Sequence, residues 1–127
     1  MEIITLSNGK RVANFSSPHP FAFEDGSILN AISNEESERL KVTFIEEELP
    51  QGDIKLSFKL SDDVKEEMEK FMNEFFLDNL DVVFCPLPMI TALKEEFSEE
   101  TIRSMPFRSI RVEDRIKKLV SIHKQCI

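Results

Sequence analysis

The sequence predicts an α+β domain: a hairpin-built, mostly antiparallel sheet packed against one main amphipathic helix and a second short helix. Three observations carry this. The only three glycines fall in turn signals, Asn8-Gly9, Asp25-Gly26 and Gln51-Gly52, all within the first 60 residues. Short runs of β-forming residues flank each turn. After Ser61 the spacing of apolar residues changes from alternation to steps of three and four, which marks a helix.

Each element follows from its local chemistry. Asn8-Gly9 separates Ile3–Leu6 from Arg11–Phe15, and Asn-Gly favours a type I′ turn with two positive φ angles. Asp25-Gly26 separates Phe21–Phe23 from Ile28–Ala31 in the same way. A short helical turn is expected at Asn34–Leu40, capped by Asn34. Pro50 and Gln51-Gly52-Asp53 join Lys41–Leu49 to Ile54–Leu60, where Ile54, Leu56, Phe58 and Leu60 alternate with polar residues. That alternation predicts a strand with one buried and one wet face.

Ser61 is an N-cap for a helix over Asp62–Phe76, whose two leading aspartates suit the positive end of the helix dipole. Val64, Met68, Phe71, Met72 and Phe75 form its apolar stripe. Val82-Val83-Phe84-Cys85 reads as a strand buried on both faces, stopped by Pro86 and Pro88. Met89–Phe97 is expected to form the second helix. Phe107–Val112 and Lys117–Lys124 read as two final strands joined at Glu113–Arg115.

Residues 1–127 make one domain of ordinary size, able to bury about two-thirds of its unfolded surface. No apolar run approaches the roughly 20 residues of a membrane span, and Met1–Thr5 does not resemble a secretory leader. With two cysteines, Cys85 and Cys126, neither a disulfide framework nor a four-cysteine zinc site is expected. The expected setting is therefore the reducing cytoplasm.

The net charge of −8 argues against general nucleic-acid binding, which needs a basic face. The charge is also uneven. Seven basic residues oppose only Glu113 and Asp114 over 101–127, a surplus of five, so the first hundred residues carry −13. The basic segment either balances an acidic body or lines a concavity for an anion.

Several groupings bear on chemistry. Cys85 precedes a helix N-terminus, where the dipole lowers a thiol pKa, but no C-x5-R or C-x-x-C pattern accompanies it. Ser16-Ser17-Pro18-His19-Pro20 is a stiff polar loop that can present Ser16, Ser17 and His19 at little ordering cost. His123 lies on an alternating strand, and no metal-ligand spacing is present, so neither metal nor cofactor is expected. Arg108, Ser109, Arg111 and Arg115 offer a fork of donors for a phosphate or carboxylate, with no Walker A or dinucleotide-binding fingerprint beside them. The glutamate runs at 35–38, 46–48, 66–67, 95–96 and 99–100 read as a solvated face that could also imitate a polyanion. Tryptophan and tyrosine are absent, and the eleven phenylalanines fall mostly at patterned core positions.

Leu6–Phe21 and Arg108–Ser121 resemble segments of small accessory proteins of tailed bacteriophages. The resemblance carries no catalytic motif; it implies an inhibitor or sequestering protein that acts on a host component by binding. The leading expectation is a non-enzymatic binding protein holding an anionic, nucleotide-like ligand through Ser16, Ser17, His19, Arg108, Ser109, Arg111 and Arg115. One alternative is an acidic inhibitor whose glutamate-rich face covers a basic surface of a host protein. Another is an enzyme with a Cys85 nucleophile and His19 or His123 as base. The sequence leaves homo-oligomerisation open.

Overall fold

The structure, a computed structural model, describes residues 2–75 and 80–127. The expected helix end at Phe76 and the side chain of Phe75 lie outside the described residues. In chain order the elements are β1 (Ile3–Thr5), β2 (Arg11–Asn14), β3 (Phe21–Ala22), β4 (Ile28–Leu29), α1 (Asn34–Arg39), β5 (Thr43–Glu48), β6 (Ile54–Lys59), α2 (Asp62–Phe75), β7 (Val82–Phe84), α3 (Leu87–Glu96), α4 (Glu99–Ser104), β8 (Phe107–Asp114) and β9 (Leu119–Cys126). This is the expected α+β architecture. The three N-terminal hairpins all form, and most strand pairs are antiparallel.

The main sheet has the order β1-β2-β7-β8-β9. Its centre is parallel, because β7 pairs with β2 on one side and β8 on the other in the same direction. All three β7 residues are buried, as a strand covered on both faces requires. Alternation along the strands then divides the core. Ala13, Phe15, Val83, Cys85 and Phe107 meet α2, α3 and α4 on one face, while Val12, Val82, Phe84, Val120 and Ile122 meet the β3–β4 hairpin on the other.

Aromatic rings lock each layer. Phe15, Phe71 and Phe107 form a triangle with centroids 5.5–6.2 Å apart, two of the contacts edge-to-face, joining the residue after β2 to α2 and β8. On the opposite face Phe84 meets Phe21 at 5.8 Å and Phe23 at 5.7 Å.

Several local expectations are corrected. Gly9 and Gly26 take positive φ (87° and 89°), but Asn8 and Asp25 do not. The Gly9 and Gly26 N–H groups donate to Leu6 and Phe23, and those residues donate to Lys10 and Ser27, so each turn is a three-residue loop with a glycine bulge rather than a type I′ turn. The Asn8 and Asp25 side chains accept from the N–H two residues on, which stabilises this alternative. Ser33, not Asn34, caps α1 by accepting from Glu36 N. The second helix begins at Leu87, two residues earlier than expected, because Pro88 is tolerated in a first turn. Helix α4 was not expected; Ser98 caps it by accepting from Thr101 N.

The outer edge of β9 is closed by the N-terminal turns. Phe23 bridges Val120, Glu24 N–H donates to Val120 O at 3.0 Å, and Ile122 N–H donates to the Glu24 carboxylate at 3.1 Å. Asn8 donates its amide to Ile122 O at 2.8 Å. Asp25 also accepts from Ser7 N at 2.8 Å, tying the first two turns together.

The ribbon β5–β6 is a separate two-stranded sheet with six paired positions, Thr43↔Lys59 through Glu48↔Ile54. Here the expected half-burial of β6 is corrected. Leu60 is buried and Phe58 half-buried, but Ile54 and Leu56 are exposed because no described element covers that part of the ribbon face.

Two outcomes follow. Phe107→Ala removes a fully buried ring shared by three elements and should cost about 3–5 kcal/mol in urea unfolding. Burial alone would raise the Asp25 pKa, but the N–H groups of Ser7 and Ser27 hold it lower, at about 2. A depressed carboxylate stabilises the fold above its unfolded pKa and loses that contribution as pH falls through the folded pKa. Asp25→Asn should therefore flatten the acid limb of the stability profile between about pH 4 and pH 2, read by thermal unfolding in a pH series.

Candidate functional site

The loop after β2 is fixed by polar contacts that the sequence did not single out. Asn14 is buried; its Oδ1 accepts from Ser17 N at 2.9 Å, and its amide donates to Ser17 O at 2.9 Å and Asn30 O at 3.2 Å. Asn-x-x-Ser was the available signal, since a short amide can bond its own chain a few residues on. Ser17 Oγ accepts from His19 N, and Ser16 O accepts from Ser37 Oγ at 2.9 Å. Asn14 thus adds hydrogen bonds to the constraint that the prolines place on the loop.

These bonds sort the expected ligand residues. Ser16 is buried with its hydroxyl directed at the Met89 sulfur, so it does not face solvent. Ser17 and Ser109 are also buried but line one shallow cleft of about 360 Å³ with the exposed His19, the half-buried Phe21, Ile110 and Cys126, and the buried Cys85. The Ser109 hydroxyl is occupied by Cys126 O at 3.3 Å. The cleft is mostly apolar and none of the three arginines lines it. The structure thus brings Ser17, His19 and Ser109 together without the cationic fork.

Arg108 has a different role. Its guanidinium donates to Met105 O at 2.7 Å, Ile102 O at 3.1 Å and Arg103 O at 3.1 Å, which satisfies the carbonyls ending α4. Burial pulls its pKa down from the ordinary value, and the carbonyl acceptors offset that loss of water. Arg108 therefore serves as a structural cap for the end of α4. Arg111 and Arg115 are exposed on β8 and its turn, beside the bulge between Ile110 and Val112.

Cys85 is 2% exposed, and burial pushes its thiol pKa up, against a smaller downward pull from Arg108. A protonated, enclosed thiol is a poor nucleophile, which weighs against the Cys85 mechanism although His19 shares its cleft. His123 is exposed on β9, and its carbonyl accepts from Lys10 Nζ. Among the described residues no group of three or more His, Cys, Asp or Glu side chains is placed to hold a metal.

The surface that sequence reasoning missed is the β5–β6 ribbon. The register sets Phe44 opposite Phe58, Glu46 opposite Leu56 and Glu48 opposite Ile54, so these six share one face. Phe44 is 50% exposed, Ile54 57% and Leu56 58%, with Leu49 at the tip 37%. Two carboxylates and no cation accompany the apolar groups, since Lys55 and Lys59 point to the other face. Among the described residues Glu46, Glu47 and Glu48 make no ion pair, whereas glutamates of α1 and α2 pair with Arg39, and Glu96 of α3 pairs with Lys65. At its base the apolar face meets a groove of about 320 Å³ formed by Val42, Phe58, Pro86, Pro88 and Met89 with neighbouring residues. Alternation announced an apolar face here; it could not announce that no described residue covers it.

Arg108→Ala should lower stability by about 1–3 kcal/mol through carbonyls left without donors. Arg111→Ala should stay within about 0.5 kcal/mol of the parent protein in the same urea titration. No protein-family model, curated protein or solved structure matches this chain, which leaves its own geometry as the basis for assigning a role.

Proposed function

We propose that this is a non-enzymatic binding protein that covers a basic, partly apolar surface of a protein partner with its β5–β6 ribbon. The observation that carries the reading is the ribbon face itself, where Phe44, Ile54 and Leu56 stand exposed between Glu46 and Glu48. Large apolar side chains grouped on a projecting element cost solubility unless a partner covers them. Uncompensated carboxylates at the rim select a cationic counterpart and speed encounter. A sequestering or inhibitory role of this kind fits what small phage accessory proteins do, which parts of the sequence resemble. The holding of an anionic small molecule is less well supported, because Arg108 is committed to α4 and the His19 cleft lacks a cation.

Among the described residues no helix is long and apolar enough to cross a membrane. A cytoplasmic partner is the natural setting for two unpaired cysteines.

The test is affinity capture from a cell extract with the parent protein, Leu56→Asp, the double variant Glu46→Lys/Glu48→Lys, and Arg111→Ala. A partner held by the parent and by Arg111→Ala should be lost from both ribbon variants, and should elute as salt rises. A partner retained equally by all four proteins would overturn the reading. Leu56 is exposed, so its replacement should leave the unfolding midpoint close to that of the parent.

A further inference from the structure

We infer that β5 is an acceptor edge: an extended, basic segment of the protein partner adds beside it as a third strand. The inference rests on the ribbon being the docking surface and specifies how the partner is held.

The sheet edges differ in how they are managed. β1 is only three residues long, and the β9 edge is closed by Phe23, Glu24 and Asn8. β6 lies alongside α3. Among the described residues the outer side of β5 has no such cover: five of its six residues are exposed, and β6 is the one strand that pairs with it. In an antiparallel pair alternate N–H and C=O groups of the outer strand point away from the ladder. Those of β5 therefore form a row ready for another strand, uninterrupted by proline, the next of which along the chain is Pro50. An isolated two-stranded ribbon is marginal in water, so a third strand also adds support.

Charge defines the occupant. Glu46, Glu47 and Glu48 border the row, and Glu46 and Glu48 lie on the apolar face. A strand laid beside them places alternate residues directly opposite those carboxylates, where Lys or Arg is favoured and Asp or Glu disfavoured. A second copy of this chain would set two such glutamate runs on one ribbon. The fitting partner is thus a segment in which basic residues alternate with β-branched apolar ones, held by main-chain bonds as in other strand-addition complexes.

The probe is a fluorescein-labelled alternating Lys-Val peptide of about ten residues, long enough to pair with all of β5. Fluorescence anisotropy at low salt should show binding to the parent protein and loss of binding to Glu46→Lys/Glu48→Lys. Hydrogen exchange should slow over residues 43–48 on binding. Methylating alternate backbone nitrogens of the peptide removes its donors and keeps its side chains, and should weaken binding by about tenfold or more. Equal binding of the methylated peptide would overturn strand addition and leave the docking reading intact. Failure of both peptides, with the captured partner still dependent on the ribbon, would likewise remove only this inference. Failure of both peptides and indifference of the captured partner to the ribbon variants would remove both. Concentration-dependent dimerisation abolished by the double variant would assign the edge to a second copy and overturn the inference.

Discussion

Everything in the fold depends on β7 being buried from both sides while it holds β2 and β8 in parallel. Three residues do this work, and they are among the most apolar in the chain. Their neighbours cannot be reached by a tight turn, since parallel strands require a crossover. The crossover from β2 to β7 therefore contains two hairpins and two helices, and the one to β8 contains α3 and α4. Asp81 seals the first junction, accepting from Arg11 N at 2.8 Å across 70 residues of sequence. Such a long-range pairing carries a loop-closure cost that the burial around β7 must offset.

The two faces of that sheet solve different problems. The helical face supplies most of the buried volume, with the triangle of Phe15, Phe71 and Phe107 at its centre. The other face is covered by a small hairpin whose contribution is as much polar as apolar. Its turns supply Glu24 and Asp25, and with Asn8 they satisfy backbone groups that an edge strand would otherwise expose. Arg108 does comparable work for α4. Several charged and amide side chains that look available for ligands in the sequence are thus consumed by the main chain.

Local signals were legible and spatial ones were not. The hairpins, the α2 cap at Ser61 and the buried β7 run follow from turn residues, capping chemistry and periodicity, all of which act within a few residues. The fate of Arg108 depends on α4, a six-residue helix with too little periodicity to announce itself, although a cation just past a Ser-capped segment was a usable hint. The prolines of the Ser16–Pro20 loop were legible, but which of its buried serines lines the cleft was set by Asn14, Ser37 and Met89 outside the loop. At Ile54 and Leu56 the alternating pattern was read correctly as a strand with an apolar face. Whether that face meets a core is a property of neighbours, which alternation does not encode.

The ribbon is joined to the rest of the molecule chiefly at its base, through Phe58 and Leu60, while its ladder is internal to residues 43–59. Mutations at its tip therefore escape the stability threshold that constrains the core. Substitutions at its exposed tip positions can accumulate without endangering the fold. The architecture separates the part that must stay the same from the part that is at liberty to evolve.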